Sequence, residues 1–348
     1  MLSSTHLRVS ALLGFSAALS GFALAAPTTA TPTYHLGATW KLAGDSFWDY
    51  LTVDPAMHRL YIPRDTRIQV LDTRTGALVG QVTGLARAHG VALVPSLGRG
   101  FVTSGGQNSV VCFDLRTLKP IGTPIRVGNG PDAIAFEPST GRVFALNGEG
   151  NSASVINATS RKVIKTIALG SNPESAAVDG QGQVFVNIEG TSKLAQLDAK
   201  TLRVVHVWPL APGEGPTGLA YSPQAARLFS ACANQQVIVL SARTGAVQAR
   251  LPIGAGVDAA AFDPKLGLAF TSNGQSGTIS IVGQNAKGQP IVVATLPTHK
   301  GARTMALDPQ THSLFVVAAD YQPKKPGQRY PEIVPGTAVV LRYDLSAK

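Results

Sequence analysis

The sequence predicts an all-β fold: a seven-bladed β-propeller closed by an N-terminal strand that pairs into the last blade. Three observations predict it. A short phrase recurs seven times, one aromatic residue stands at the same place in every copy, and a spare strand precedes the first copy. Repeats of about 42 residues that contain four short strands each are typical of propeller blades.

The repeated phrase is an apolar strand that ends in a turn, in most copies an acidic residue followed by Pro. Its copies are Leu51–Pro55, Val91–Pro95, Ile134–Pro138, Ala176–Gly180, Leu219–Pro223, Ala260–Pro264 and Met305–Pro309. Successive turns lie 40, 43, 42, 43, 41 and 45 residues apart. No sustained 3.6-residue periodicity accompanies this spacing, which argues against helical repeats.

An aromatic residue opens the second strand of every repeat. These residues are Tyr61, Phe101, Phe144, Phe185, Phe229, Phe270 and Phe315. A large ring at one depth in each blade predicts packing between neighbouring sheets, where burial of apolar area gives most of the stabilisation. A third strand follows and ends at a turn, best seen in Asp72–Gly76.

The ends of the chain predict how the ring closes. The seventh repeat stops soon after Asp344 without a fourth strand, whereas Tyr34–Leu42 resembles a fourth strand that precedes the first repeat. Pairing this segment into the last blade would remove an open sheet edge. Residues 26–348 are therefore expected to form one propeller domain.

Residues 1–25 have the features of a signal peptide. Arg8 precedes an apolar run, Ala11–Leu24, and small residues at Ala23 and Ala25 suit cleavage after Ala25. The run is short for a bilayer core, which needs about 20 residues. We expect an exported protein, periplasmic or secreted, with no transmembrane segment after the signal peptide.

The bulk composition restricts partners only weakly. The formal charge is +10, and removal of Arg8 leaves 29 − 20 = +9, so binding to an anionic surface, nucleic acid or another polyanion is open. The two cysteines, Cys112 and Cys232, fall in the second and fifth repeats. That separation argues against a disulfide between them.

The repeat resembles that of the exported YVTN-repeat, or YncE-like, propellers, whose blades read aromatic-Val-Thr-Asn and then Asp-x-x-Thr-Gly. The counterparts here include Phe270–Asn273, Phe144–Asn147, Phe101–Ser104 and the turn Asp72–Gly76. The likeness covers nearly the whole chain after residue 25. It implies a periplasmic, often non-enzymatic propeller, and it specifies a fold rather than a reaction.

Seven aligned positions predict a site at the mouth of the central channel. Six residues before each turn Pro, or before Gly180, stand Asp49, His89, Asp132, Glu174, Thr217, Asp258 and Arg303. Trp48 precedes the first of them. Four carboxylates could orient a ligand or hold a divalent cation, with oxygen ligands favouring Ca²⁺ or Mg²⁺. The alternative is that these charges are merely solvated, and no cofactor is required by the sequence.

Loops on the same face carry further candidates. The segment Tyr321–Pro335 is longer than its counterparts and offers Tyr321 and Tyr330 as rings that could stack on a ligand. Basic residues flank repeats seven, one and two: Arg64, Arg87, Lys300, Lys324, Lys325 and Arg329. Acidic residues flank repeats three and four, so an anionic group would be drawn to the basic side.

Three functions remain open at this stage, and no catalytic residue is assigned. The first is a binding module for a small ligand or a protein partner at the channel mouth. The second is a metal-assisted hydrolase of lactonase type, which the acidic ring beside His89 would serve. The third is electrostatic binding of a polyanion. A haem-attachment motif, zinc-ligand spacing, a nucleophile elbow and a phosphate-binding loop are all missing from the sequence.

Overall fold

The structure is a computed structural model that describes residue 1 and residues 32–44, 46–325, 327–328 and 331–346. Residues 2–31, which hold most of the expected signal peptide, and the candidate residues Arg329 and Tyr330 lie outside the described residues. All elements below belong to the unit Thr31–Lys348. Within the described part of the chain, no helix has the length and hydropathy needed to cross a membrane.

The described residues form 26 strands and three short 3₁₀ segments. The first strands are β1 (Tyr34–Lys41), β2 (Thr52–Asp54), β3 (Arg59–Asp72), β4 (Leu78–Val94), β5 (Arg99–Ser104), β6 (Ser109–Asp114), β7 (Ile125–Arg126), β8 (Pro131–Glu137), β9 (Arg142–Asn147), β10 (Ser152–Asn157) and β11 (Lys162–Ala168). Next come β12 (Pro173–Val178), β13 (Gln183–Ile188), β14 (Lys193–Asp198), β15 (Arg203–Pro209), β16 (Pro216–Ser222), β17 (Arg227–Cys232), β18 (Gln236–Ser241) and β19 (Val247–Pro252). The last are β20 (Val257–Asp263), β21 (Leu268–Asn273), β22 (Thr278–Gln284), β23 (Pro290–Pro297), β24 (Arg303–Leu307), β25 (Leu314–Ala318) and β26 (Val339–Leu345). The 3₁₀ segments are Pro95–Leu97, Gly105–Gln107 and Glu189–Thr191.

These strands form six antiparallel sheets in a ring, which confirms an all-β propeller. Four sheets take four consecutive strands each: β8–β11, β12–β15, β16–β19 and β20–β23. A fifth joins β1 to β26, β25 and β24, and a six-stranded sheet contains β2–β7. The innermost strands contact one another in the order β2, β4, β8, β12, β16, β20, β24 and back to β2.

Seven repeats occupy six sheets because the first two repeats share one. β4 pairs with β3 as far as Ala88 and with β5 from Ala88 onward. It therefore serves as the outer strand of the first repeat and the inner strand of the second. Sequence spacing does not reveal this continuity, because the repeat phrase is intact on both sides of it.

The predicted closure by an N-terminal strand is confirmed. β1 runs antiparallel to β26, with Tyr34 opposite Leu345 and Lys41 opposite Val339. The Tyr34 ring packs edge-on against Phe270, with ring centroids 5.6 Å apart. β1 thus completes the last sheet and reaches the apolar layer between that sheet and the preceding one.

The seven repeat aromatics lie between sheets, as predicted. Each is buried, with at most 5% of its surface exposed. Phe229 stacks on Phe262 of the next sheet at 5.8 Å, and Phe185 stacks on Tyr221 in the same way at 5.9 Å. These contacts join adjacent sheets, so each ring contributes to the stability of two repeats.

The motif residues that close the second strand form buried hydrogen bonds. Asn147 is fully buried and its Nδ2 donates to the hydroxyls of Ser152 and Ser154. Asn273 does the same toward Thr278 and Ser280 three repeats later. In these two repeats the motif Asn therefore bonds to the following strand. Cys112 and Cys232 are both free and buried, on β6 and β17 of different sheets.

Candidate ligand site at the channel mouth

The seven aligned residues lie where the innermost strands begin, and most stand at a break in strand register. In six of the seven repeats, all but that of Asp49, the pairing of the inner strand shifts at or beside the ring residue. A bulge at this point bends the strand and re-aims the side chain. The fixed distance in sequence from the turn therefore places these residues at the same level of the channel in each repeat, and the bulge directs their side chains toward the channel.

Three ring residues from the first three repeats meet directly. The His89 Nδ1 atom lies 2.6 Å from the Asp49 carboxylate and 3.4 Å from the Asp132 carboxylate. The side chains of His89, Asp49 and Asp132 are 10%, 13% and 29% exposed. One ligating atom from each residue falls within 4.8 Å of the other two, a spacing suited to a shared metal ion.

The protonation of this cluster reflects its crowding. Burial alone would lower the pKa of His89, but the hydrogen bond that His89 donates to Asp49 and the charge of Asp132 outweigh it and raise that pKa. Burial, with the charge of Asp49 next in size, raises the pKa of Asp132 to about 7. Its Oδ1 atom receives no hydrogen bond from the described residues. The site therefore holds more acidic groups than its own cations neutralise.

Glu174 lies in the repeat next to that of Asp132 and contacts Tyr50 of the first repeat. The Tyr50 hydroxyl lies 2.8 Å from Oε1 of Glu174 and 2.9 Å from the Glu174 backbone oxygen. Burial, and then the charge of Asp132, raises the pKa of Glu174 to about 9. Glu174 is therefore neutral at pH 7.

Arg303 and Asp258 form the ion pair of the ring. Nη1 of Arg303 lies 3.0 Å from the Asp258 carboxylate, and Nη2 donates to the Trp48 backbone oxygen at 3.2 Å. The guanidinium also sits 5.2 Å from the Phe47 ring centroid, close enough for a cation–π contact. Burial still raises the pKa of Asp258 despite its partner.

Trp48 and Tyr321 take supporting positions. The Trp48 ring is only 1% exposed and lies against Arg303, at 5.8 Å, and against Tyr321, at 6.2 Å. Trp48 therefore packs against the Arg303 side chain and has almost no exposed surface for contact with a ligand. Tyr321 is partly exposed beside it, at the start of the long loop, and its backbone pairs with Ile333.

A cavity of about 170 Å³ lies beyond the ring, inside the propeller. Residues from the innermost strands of all seven repeats line it. Most of them follow a ring residue by one to three positions in the sequence, and Asp258 is itself a ring residue. Tyr50 is one of them, and sequence reasoning did not single it out. The signal was present: the position after each ring residue is small in every other repeat. These residues are Gly90, Ala133, Ser175, Gly218, Ala259 and Thr304.

The predicted basic side of this face is only partly correct. Arg64 is fully buried on β3 and donates to Ser46 and to the Gly44 backbone oxygen, so it is not a surface charge. Arg87 is exposed but pairs with Glu149 at 3.5 Å, where the basic and acidic sides meet. In the long loop, Lys325 pairs with Glu332 at 3.5 Å.

Comparison with solved structures places the fold among known propellers. Hydrazine synthase of Kuenenia stuttgartiensis matches with a TM-score of 0.69 and 17% sequence identity, over 80% of this chain and 94% of that chain. At that identity the likeness shows the fold alone. No protein-family model matches the chain. No curated protein matches it either.

Proposed function

We propose that this chain is an exported seven-bladed β-propeller that binds a small, positively charged ligand at its channel mouth. One observation carries the proposal. Four carboxyl groups from four different repeats, Asp49, Asp132, Glu174 and Asp258, converge on one opening, where His89 and Arg303 are the basic side chains of the ring itself. A binding module fits this arrangement better than a surface of solvated charges, because the groups are largely withdrawn from water.

The protonation of the ring supports a cationic ligand. The raised pKa values of Asp132, Glu174 and Asp258 mean that each carboxyl gains from an added positive charge. Burial is the main cause of these raised pKa values, with the charges of neighbouring acids next, and the charge of a bound cation would lower them again. Cation binding should therefore release protons near neutral pH.

The blade count and the location are also part of the proposal. Seven sequence repeats and seven successive inner strands in contact support seven blades, two of which share a continuous sheet. The basic and apolar composition of residues 1–25 supports export to the periplasm or beyond. The resemblance to YVTN-repeat propellers points to the same compartment.

Titration calorimetry tests the binding proposal. CaCl₂, MgCl₂ and methylammonium chloride serve as probes at pH 7.5, each in two buffers with different ionisation enthalpies. We expect at least one probe to bind with proton release, and Asp132→Asn to weaken that binding at least about tenfold, since a charge-assisted contact contributes about 1.5–3 kcal/mol. Glu149→Gln, an exposed acid on the same face, is the control. Failure of every probe to bind, or equal binding by Asp132→Asn, would overturn the proposal.

A second candidate is a metal-assisted hydrolase of lactonase type, favoured by the Asp49–His89–Asp132 cluster. Two carboxylates and one imidazole within 4.8 Å suit a divalent cation, which would supply Lewis-acid chemistry at the mouth. Elemental analysis of the purified protein, metal-dependent thermal shifts and hydrolysis of a γ-lactone probe test it. Turnover that depends on metal and is lost in Asp132→Ala would favour the hydrolase over the binding module.

Polyanion binding has less support than either. Arg64 is buried, and Arg87 and Lys325 already pair with acidic neighbours, although those exposed pairs are weak. The mouth itself is acidic, so an anionic polymer would have to bind around it. Affinity for single-stranded DNA that falls steeply with added salt would be its mark.

A further inference from the structure

Tyr50 is the large side chain in a layer of small ones. The residue after each ring position is Gly, Ala, Ser or Thr in the other six repeats, and Tyr in the first. Because inner strands rise about 3.3 Å per residue, this layer lies just inside the acidic ring. A single tyrosine in such a layer has no neighbour at its own depth to obstruct it, so its ring can extend across the channel.

The contacts of Tyr50 show that it does cross. Its hydroxyl reaches both Oε1 and the backbone oxygen of Glu174, which belongs to the fourth repeat, three repeats around the ring. Its ring packs against the apolar cluster of repeats three and four, which includes Ala133. The side chain is thus held at both ends: by its own strand on one side of the channel and by Glu174 on the other.

The space beyond Tyr50 differs in character from the mouth. The cavity of about 170 Å³ is lined there by apolar side chains, among them Leu51, Val91, Ile134, Leu219 and Met305, together with Thr52, Ser175 and the ring residue Asp258. The mouth, in contrast, is lined by carboxyl groups and by Arg303. An elongated ligand with a cationic head and an apolar tail would fit both regions if nothing separated them.

We propose that Tyr50 is the specificity-determining residue of the mouth site: it bars the channel, so that the ring accepts a compact cation and excludes one with a chain attached. This inference rests on the proposed function. Removal of the Tyr50 ring should join the mouth to the apolar cavity and let an alkyl tail enter behind the bound head group.

A series of alkylammonium probes tests the barrier. Methyl-, butyl- and hexylammonium are titrated into the wild type, Tyr50→Phe and Tyr50→Ala, each checked for a cooperative melt. We expect affinities within about threefold of one another for the wild type and Tyr50→Phe, which keeps the ring. In Tyr50→Ala, affinity should rise about fourfold for each methylene that enters the cavity, the equivalent of burying one CH₂. Tyr50→Leu, which leaves less space, should show a smaller rise and replaces Tyr50→Ala if that variant does not fold.

Hexan-1-ol distinguishes the cation-binding proposal from the Tyr50 barrier proposal, because it has the alkyl chain of hexylammonium without the positive charge. It should raise the melting temperature of Tyr50→Ala and leave the wild type and Tyr50→Phe unchanged. If hexanol behaves so while no ammonium binds any variant, the barrier stands and the cation-binding function falls. If the wild type gains affinity with chain length as steeply as folded Tyr50→Ala or Tyr50→Leu, the barrier role is refuted.

Discussion

The hydroxyl of Tyr50 lies 2.8 Å from the carboxyl of Glu174 and 2.9 Å from its backbone oxygen, which joins the first repeat to the fourth across the channel. One hydroxyl proton cannot satisfy two acceptors. A neutral Glu174 resolves this, because the carboxyl can donate to the tyrosine oxygen while the tyrosine donates to the backbone carbonyl. The raised pKa of Glu174, about 9, agrees with that arrangement.

Glu174→Gln should therefore change how stability depends on pH. The folded pKa of Glu174 is raised above its unfolded value, so the unfolded state loses this proton first and stability falls as pH rises from about 4.5 to 9. Glutamine keeps an acceptor and a donor but cannot ionise. We expect the variant to gain at least about 1 kcal/mol over the wild type between pH 5 and pH 9, since one pKa unit corresponds to about 1.36 kcal/mol.

Urea unfolding at pH 5, 7 and 9 measures this gain. Glu149→Gln is the matched control, since Glu149 is an acid on the same face whose side chain is 66% exposed. Its difference from the wild type should stay flat with pH. A flat difference for Glu174→Gln as well would mean that Glu174 is ionised in the folded protein.

Asp49→Asn should lower the pKa of His89. Burial opposes the rise, and the hydrogen bond that His89 donates to Asp49 is the largest contribution that raises this pKa. With the carboxylate gone, the charge of Asp132 is the main effect left to oppose burial, so the His89 pKa should fall and the imidazole should become neutral at a lower pH. NMR titration of the imidazole resonances reports it directly. Asp65→Asn, a change on the same face without contact to His89, should leave the curve in place.

The architecture was largely predictable because each repeat carries its own local signals. The acid before the turn Pro recurs since its carboxylate accepts backbone N–H bonds, as Asp263 does from Lys265 and Leu266. The repeat aromatic recurs since it fills the layer between sheets. The merging of two repeats in one sheet was not predictable, because it depends on how β4 continues through Ala88 and leaves no mark in the repeat phrase.

The site was predictable in depth but not in detail. Alignment on the turn found the ring, since a fixed number of residues separates the turn from the channel mouth. It could not tell that Trp48 is buried, because Trp48 packs on Arg303 and Tyr321 far away in sequence, or that Arg64 turns inward toward Gly44 and Ser46 in the loop after β1. Phe47 and Tyr50 escaped notice because neither belongs to the aligned ring, although both contact its members.

The closing strand offers a matched pair of substitutions. Tyr34 on β1 is 8% exposed and packs on Phe270, whereas Leu36, two residues later, is 51% exposed. Tyr34→Ala should cost about 3–5 kcal/mol of unfolding free energy, as for other buried aromatics, and Leu36→Ala less than about 0.5 kcal/mol. Chemical denaturation measures both. Equal, small losses would show that β1 does not secure the ring.

Arg303→Met should destabilise the channel mouth in a pH-dependent way. Removal of the guanidinium leaves Asp258, whose side chain is 21% exposed, without its ion-pair partner. An unpaired, largely buried carboxyl costs about 1–3 kcal/mol. It escapes part of that cost by taking up a proton, so its pKa should rise further and the loss of unfolding free energy should be greater at pH 8 than at pH 5.

Arg87→Met is the control, because its pair with Glu149 is exposed on both sides and contributes little. Chemical denaturation of both variants at the two pH values tests this prediction. If Arg303→Met loses no more unfolding free energy than Arg87→Met, or if its loss does not grow with pH, Asp258 is neutral in the wild type as well and does not depend on Arg303.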